Sequence, residues 1–290
     1  MFSRTPSRQN LKSVVPTVSK ESMVAEERNW YDTPLYYDIA FGAGTEAESD
    51  FIEKIHQQFG RTACQRRQPR LLEPACGSGR LVEAMAQRGW NVSGFDVSRE
   101  GIAFAHERMG KADLKARLWR DRLEYFKVPG RCDFDLSHCL VSTFKYLSTE
   151  ADACSHLRLI GDCLRPGGIY LLGIHLTDYS RSTTVHERWV STRDGIQVVC
   201  NTRIFPSNPG LRMERLRCRL SVTENGETRL QETNWQSRTY NAQQLKHTLC
   251  TALPDFTVVA CHDFHHDIEI TRPFDDSYSD IVVVLRKNDH

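Results

Sequence analysis

The sequence predicts an α/β fold built around a mostly parallel β-sheet, with a small antiparallel sheet inserted late in the chain. The parallel sheet is predicted because, between residues 70 and 175, short apolar runs alternate with amphipathic stretches of helical spacing. The insertion is predicted because alternating residues between 185 and 238 are separated by turn signals such as Glu224-Asn225-Gly226-Glu227.

The elements follow in regular order. Ordered structure is expected from near Trp30, and an apolar stripe predicts a helix over 46–59. The apolar runs predict strands at 70–73, 90–95, 115–119, 134–140 and 169–175, and the stretches between them predict helices at 80–88, 99–109 and 150–164. Arg165-Pro166-Gly167-Gly168 ends the last of these helices. A helix at 242–249 and strands at 256–261 and 281–285 complete the fold.

Composition and charge narrow the class of protein. The chain has 290 residues, of which 40% are hydrophobic, and its 38 Lys and Arg balance 37 Asp and Glu. No apolar run approaches the roughly 20 residues that span a bilayer, so no membrane partner is expected. The balanced charge makes nucleic acid an unexpected partner, although it leaves room for a local basic patch.

The N-terminus and the cysteines add two expectations. Residues 1–28 are expected to form a disordered basic tail, because the first twenty residues contain four bases, no acid and no amphipathic period. Residues 29–290 are then the folded domain. The ten cysteines are scattered without a CxxC pair, so they are expected to be reduced and mostly buried in a cytoplasmic protein.

The segment at residues 71–80, LLEPACGSGR, carries the strongest functional signal. Gly77 and Gly79 lie between a predicted strand and a predicted helix, where glycine allows a tight turn and a close approach by a ligand. The N-terminus of that helix offers free N–H groups. Asp96 ends the next strand, where a carboxylate can accept hydrogen bonds from both hydroxyls of a ribose.

Two kinds of nucleotide ligand fit this arrangement. A dinucleotide fingerprint requires a third small residue, but Val82 occupies that position. Glu73, just before the loop, would face a pyrophosphate unfavourably, whereas the ammonium of an amino-acid-bearing adenosine would attract it. The second ligand fits better, and a nicotinamide-dependent oxidoreductase is the alternative.

The same residues resemble the first two motifs of the class I S-adenosylmethionine-dependent methyltransferases, in the branch that acts on small molecules. Glu73 stands at the acidic position of the first motif, and Ala75, Gly77 and Gly79 stand at its three small positions, with Ala75 replacing a common glycine. Further matching segments are WRDRLEYF, FDLSHCLVSTFKYL, LRPGGIYLLGIH and IVVVLRK. The resemblance implies a Rossmann-like seven-stranded sheet whose last strand is antiparallel, with an insertion at 176–238 that caps the substrate.

The resemblance also implies the residues of the site. S-adenosyl-L-methionine is the expected cofactor, and its expected contacts are Glu73, Ala75, Cys76, Gly77, Gly79, Arg80, Asp96, Val97, Asp121, Arg122 and Cys139. The expected substrate pocket contains Tyr31, Tyr37, His138, Ser142, His175 and His262. No metal is expected, because the adjacent His265 and His266 cannot easily point at one ion from a strand.

The expected reaction is transfer of a methyl group to an N or O atom of a small molecule by in-line displacement. Since such a cofactor carries the reactivity, the protein mainly aligns the reacting atoms. His175 is the candidate base or substrate hydrogen-bonding residue, with a structural histidine at a strand end as the alternative. A protein that binds the cofactor without catalysing a reaction is a further alternative.

Overall fold

The computed structural model describes residues 25–61 and 68–289. Most of the predicted tail, residues 1–24, lies outside the described residues. Within the rest of the predicted tail, the strand β1 (Glu26–Glu27) pairs with a strand late in the chain.

The described residues form six α-helices and, with β1, twelve β-strands. The helices are α1 (Pro34–Phe41), α2 (Thr45–Phe59), α3 (Arg80–Gln87), α4 (Arg99–Lys111), α5 (Glu150–Cys163) and α6 (Ala242–Ala252). The remaining strands are β2 (Arg70–Pro74), β3 (Asn91–Asp96), β4 (Arg117–Arg120), β5 (Phe134–Cys139), β6 (Leu164–His175), β7 (Val185–Arg193), β8 (Ile196–Ile204), β9 (Met213–Glu224), β10 (Glu227–Arg238), β11 (Phe256–His262) and β12 (Asp280–Lys287).

A seven-stranded sheet with the order β11-β12-β6-β5-β2-β3-β4 forms the centre of the fold. Strand β12 pairs antiparallel with both of its neighbours, and β2 to β6 pair in parallel. Leu71 and Leu72 are both fully buried, because apolar clusters cover the two faces of the sheet. The predicted Rossmann-like sheet with an antiparallel last strand is confirmed.

The inserted sheet consists of β7 to β10 in antiparallel order, with β1 added in parallel at the edge. Its two tight hairpins turn at Asp194-Gly195 and Asn225-Gly226, where all four residues have positive φ. Such turns match the twist of the flanking strands, which is why Asn-Gly predicted a hairpin here. The inner face of the inserted sheet packs against Trp30, Ile39 and Ala40 from the N-terminal part of the chain.

Two of the cysteines form a disulfide, so the prediction of reduced cysteines is wrong for this pair. Cys132 precedes β5 and Cys163 ends α5, and the fold brings their Cα atoms within 4.7 Å of each other. Seven further cysteines of the described residues are free, and among these only Cys250 is exposed. No helix within residues 25–61 and 68–289 is both long and apolar enough to cross a membrane.

Candidate functional site

A cavity of about 470 Å³ opens beyond the carboxyl ends of β2, β3, β4 and β5. Its walls include the glycine loop, defined here as residues 75–79, and the ends of these strands. The opposite wall comes from the segment around β1 and from the edge of β10. Open parallel sheets bind ligands at this edge, so the cavity lies where the topology favours a site.

The glycine loop combines left-handed backbone positions with an open surface. Ala75, Gly77 and Gly79 have φ values of 54°, 52° and 73°, which explains the need for small residues there. A Cβ added at Gly77 would meet no atom within 4 Å, whereas one at Gly79 would lie 2.7 Å from the Cβ of Ala105. Gly77 therefore leaves room for a ligand, and Gly79 lets α3 and α4 approach each other.

Asp96 is fixed at the end of β3 by backbone donors. Its Oδ2 accepts a hydrogen bond from the Gly77 N–H at 2.9 Å, and its Oδ1 accepts one from the Ser98 N–H at 2.7 Å. Burial raises the pKa of Asp96, while these backbone donors act in the opposite direction. Each carboxylate oxygen can accept a second hydrogen bond, so this oriented carboxylate can still bind hydroxyl groups in the cavity.

Glu73 is a buried carboxyl group that lacks a full set of partners. It is 6% exposed and lines the cavity, yet its Oε2 has no hydrogen-bond partner. Burial raises the pKa of Glu73 to about 8, although nearby Arg80 lowers it. A buried acceptor without a donor is costly, so Glu73 is well suited to a ligand that brings a cationic donor.

Arg80 and His138 stand beside Glu73 at the inner end of the cavity. The Arg80 guanidinium donates to Oε2 of Glu48 at 2.8 Å, and this carboxylate keeps the pKa of Arg80 above its ordinary value despite burial. His138 is 1% exposed, and its Nε2 has no partner. Burial, together with the charge of Arg80, lowers the pKa of His138 to about 3, so this imidazole is neutral near pH 7.

Asp121, Arg122 and Val97 line the more exposed part of the cavity. The Asp121 carboxylate accepts hydrogen bonds from the backbone N–H groups of Arg122 and Lys127, each at 2.9 Å. The Arg122 side chain donates to Glu124 at 2.7 Å. Asp121 therefore fixes the loop that follows β4 (residues 121–127), which presents both backbone and side-chain groups to the cavity.

An aromatic wall, defined here as Tyr31, Tyr37, Tyr146 and Trp235, closes the opposite side of the cavity. The hydroxyl groups of Tyr31 and Tyr146 lie 2.9 Å apart in a hydrogen bond. Burial raises the pKa of Tyr31, of Tyr146 and of Tyr37, the last to about 12. These phenols therefore stay protonated near pH 7 and offer hydrogen bonds without negative charge.

The sequence comparisons match residues 71–168 to the family model described as a methyltransferase domain. For these residues the match confirms the resemblance to the class I S-adenosylmethionine-dependent methyltransferase superfamily. The matched methyltransferase domain contains the glycine loop and the ends of β2 to β5. It excludes the inserted sheet and the segment around β1, so the family match covers the inner end of the cavity and leaves out much of the aromatic wall.

A relative and two solved structures are similar to this chain. The ubiquinone biosynthesis O-methyltransferase of Aeromonas salmonicida is 32% identical over 101 residues, which are 34% of this chain and 40% of that protein. The chain spans 40 to 56% of the length of the first curated relatives that it matches.

An S-adenosylmethionine-dependent methyltransferase from Clostridium acetobutylicum has a TM-score of 0.69 at 16% identity, covering 90% of this chain and 100% of that one. CalS10, an amino pentose methyltransferase from Micromonospora echinaspora, has a TM-score of 0.64 at 18% identity, covering 90% of this chain and 98% of that one. At these identities the two structures show the fold alone.

His175, which was expected beside the reacting atoms, does not line the cavity. Its Nδ1 lies 2.7 Å from Oδ1 of Asp280, and both side chains are half-exposed. Its backbone N–H donates to the Ser142 hydroxyl at 2.7 Å, so Ser142 serves the strand end and also lies outside the cavity lining. The partner of the imidazole is the Asp280 carboxylate and not a backbone carbonyl oxygen.

Three other expected site residues also lie outside the cavity lining. His262 is buried with its Nδ1 3.0 Å from the carbonyl oxygen of Ile270, against the ring of Phe51. Cys139 faces the core, and burial raises the pKa of its thiol to about 12. Gly79 acts in helix packing, as described above. The register of the strands places the side chains of Cys139 and His262 on faces that the sequence alone did not distinguish.

Tyr146 and Trp235 are cavity residues that the sequence did not single out. Tyr146 follows β5 inside the recognised segment FDLSHCLVSTFKYL, but the turn after the strand decides that its ring reaches the cavity. Trp235 lies in β10, where alternation predicts a strand without indicating which residues meet the cavity. Within the described residues, no group of three or more His, Cys, Asp or Glu side chains is placed to hold a metal ion.

Proposed function

We propose that the chain uses S-adenosyl-L-methionine to methylate a nitrogen or oxygen atom of a small molecule. The observation that supports this most strongly is one continuous cavity of about 470 Å³ with two different ends. The unpaired Glu73 and the glycine loop lie at the inner end, and the aromatic wall lies at the other. A volume of this size suits a cofactor together with part of a small acceptor.

The inner end fits S-adenosyl-L-methionine residue by residue. Glu73 would accept a hydrogen bond from the ammonium group, which would satisfy its unpaired Oε2. Arg80 would attract the carboxylate end, and Asp96 would accept from the ribose hydroxyls. Asp121 and Arg122 would border the adenine. When bound, this cofactor supplies a methyl group activated by a sulfonium.

The protein then contributes orientation and exclusion of water. Tyr31 and Tyr146 keep their protons near pH 7, because a phenol ordinarily has a pKa near 10 and desolvation raises the pKa of both further. His138 is neutral because burial lowers its pKa to about 3. These groups would hold the acceptor by hydrogen bonds and would not remove a proton from it before attack, which supports catalysis by positioning.

The end of the cavity formed by the aromatic wall suits a polar acceptor molecule with an aromatic or cationic part. Trp235 and the tyrosines offer ring faces, while Glu232 and Asn234 from the edge of β10 add polar groups. The relatives named above include a ubiquinone biosynthesis O-methyltransferase and an amino pentose methyltransferase. Phenols and amino sugars are therefore the first acceptors to test.

A methylation assay with labelled S-adenosyl-L-methionine tests the proposal. The purified protein is offered phenols, amino sugars, other amines and carboxylates, with RNA and protein fractions alongside. We expect label in a small molecule, and loss of activity in D96A, because that change removes the acceptor that holds the Gly77 and Ser98 N–H groups.

Thermal melting with S-adenosyl-L-methionine, S-adenosylhomocysteine, NAD and NADP separates the alternatives. A ligand at 100 times its Kd stabilises by about 2.7 kcal/mol. A response to NAD or NADP alone would support the oxidoreductase and overturn the proposal. A response to the adenosyl ligands without label in any fraction would favour a non-catalytic binder, and label in RNA would contradict the prediction that nucleic acid is not an acceptor. The cytoplasmic location stays a prediction.

A further inference from the structure

Asp38 is a buried carboxylate outside the cavity lining that touches three separate elements. It lies in α1 and is 1% exposed. Hydrogen bonds and the charge of Arg108 keep its pKa below the ordinary value, even though burial acts in the opposite direction. A buried charge is stable only where it is paired and hydrogen-bonded, so each of its partners matters.

The first partner of Asp38 belongs to the glycine loop. The Ser78 hydroxyl donates to Oδ1 of Asp38 at 2.7 Å, and Ser78 is 2% exposed. Ser78 also lines the cavity between Gly77 and Gly79. The rotamer of Ser78, and with it the local path of the glycine loop, is thus tied to the position of Asp38.

The other two partners are arginines that share the second oxygen of the carboxylate. Arg108 from α4 and Arg193 from the end of β7 each donate to Oδ2 of Asp38 at 2.6 Å. Arg108 lies in the last turn of α4, and Arg193 precedes the tight turn of the inserted sheet. One carboxylate therefore joins the inserted sheet, α4 and the glycine loop.

We propose that Asp38 is a positioning residue that fixes the position of the glycine loop relative to the inserted sheet. The inference rests on the proposed function, because the glycine loop is the part that meets the cofactor and the inserted sheet supplies part of the acceptor wall. Because Arg193 and Ser78 both form hydrogen bonds with Asp38, a displacement of Arg193 is transmitted to Ser78 through the Asp38 side chain. Arg193 thereby affects cofactor binding although it does not line the cavity.

Binding of S-adenosylhomocysteine, measured by titration calorimetry, tests this coupling. Arg193→Gln is the main variant, because Arg193 is 40% exposed and Arg108 still pairs with Asp38 when Arg193 is replaced. Arg203→Gln, an exposed arginine of the neighbouring β8, is the matched control. We expect a 3- to 10-fold rise in Kd for R193Q and no change for R203Q. Melting without ligand is recorded for both.

A double-mutant cycle distinguishes positioning from a merely structural role. In S78A the link between Asp38 and the glycine loop is absent, so adding R193Q should change Kd by less than 2-fold. A lower Tm with unchanged Kd in R193Q, or a full additional effect of R193Q in S78A, would overturn the inference. If wild-type protein fails to bind S-adenosylhomocysteine, the proposed function and the inference both fail. If wild type binds and R193Q matches it, the inference alone fails.

Discussion

Replacing Glu73 with glutamine should stabilise the ligand-free protein, increasingly so at alkaline pH. Burial raises the pKa of Glu73 from 4.5 to about 8 in the folded chain. The folded state therefore binds this proton more tightly than the unfolded state, so the associated stability is complete below pH 4.5 and is lost as the pH rises through 8. Glutamine keeps the size of the side chain without the charge.

The expected size follows from the two pKa values. A tenfold change in a proton equilibrium is worth about 1.4 kcal/mol, so the destabilisation by Glu73 is below ~1 kcal/mol at pH 5, roughly 3 kcal/mol at pH 7 and ~4–5 kcal/mol above pH 9. In a chain of this length, 3 kcal/mol corresponds to a rise in Tm of roughly 5 °C.

Circular dichroism melting of ligand-free wild type and E73Q at pH 5, 7 and 9 measures this effect. We expect the two Tm values to be close at pH 5 and to separate as the pH rises. E100Q, which changes an exposed glutamate of α4, should follow the wild type throughout. Parallel pH profiles for wild type and E73Q, or a lower Tm for E73Q at pH 9, would refute the explanation based on the buried, unpaired carboxyl group.

Three further substitutions probe the cavity. G79A should lower the free energy of unfolding by about 1–3 kcal/mol, because the new Cβ would lie 2.7 Å from Ala105 in a left-handed backbone; urea unfolding measures this. G77A should weaken S-adenosylhomocysteine binding more than G79A does, because its Cβ meets no protein atom within 4 Å and would fill ligand space; equal Kd values in calorimetry would contradict this. Y146F removes the hydroxyl that bonds Tyr31 and should raise the KM for the acceptor in steady-state kinetics about 3- to 10-fold, with little change in the Kd of the cofactor. A raised cofactor Kd with an unchanged acceptor KM would contradict this.

The parallel sheet was predictable from sequence because its elements are local patterns. Apolar runs between helices, and the glycines after β2, determine where strands end and where a loop must turn. The acid at Glu73 was likewise informative, since a carboxylate before a glycine loop selects among nucleotide ligands. Its lack of a partner became visible only with the packing around it.

The aromatic wall and the true surroundings of His175 were not predictable in the same way. His175 ends an apolar strand, as expected, but the partner strand β12 places Asp280 beside it and thereby occupies the imidazole. Trp235 lies 204 residues after Tyr31 in the numbering, and no local pattern links them. The pairing of Cys132 with Cys163 likewise depends on a contact across the fold.

The N-terminal segment joins β10 through contacts that are very distant along the chain. The Trp30 N–H donates to the Thr233 hydroxyl across 203 positions of sequence, whereas the glycine loop and Asp96 are near neighbours in the chain. During synthesis the hydrogen bond between Gly77 and Asp96 can therefore form within a short stretch of chain, while the N-terminal segment must wait for about 200 further residues before β10 is available to it.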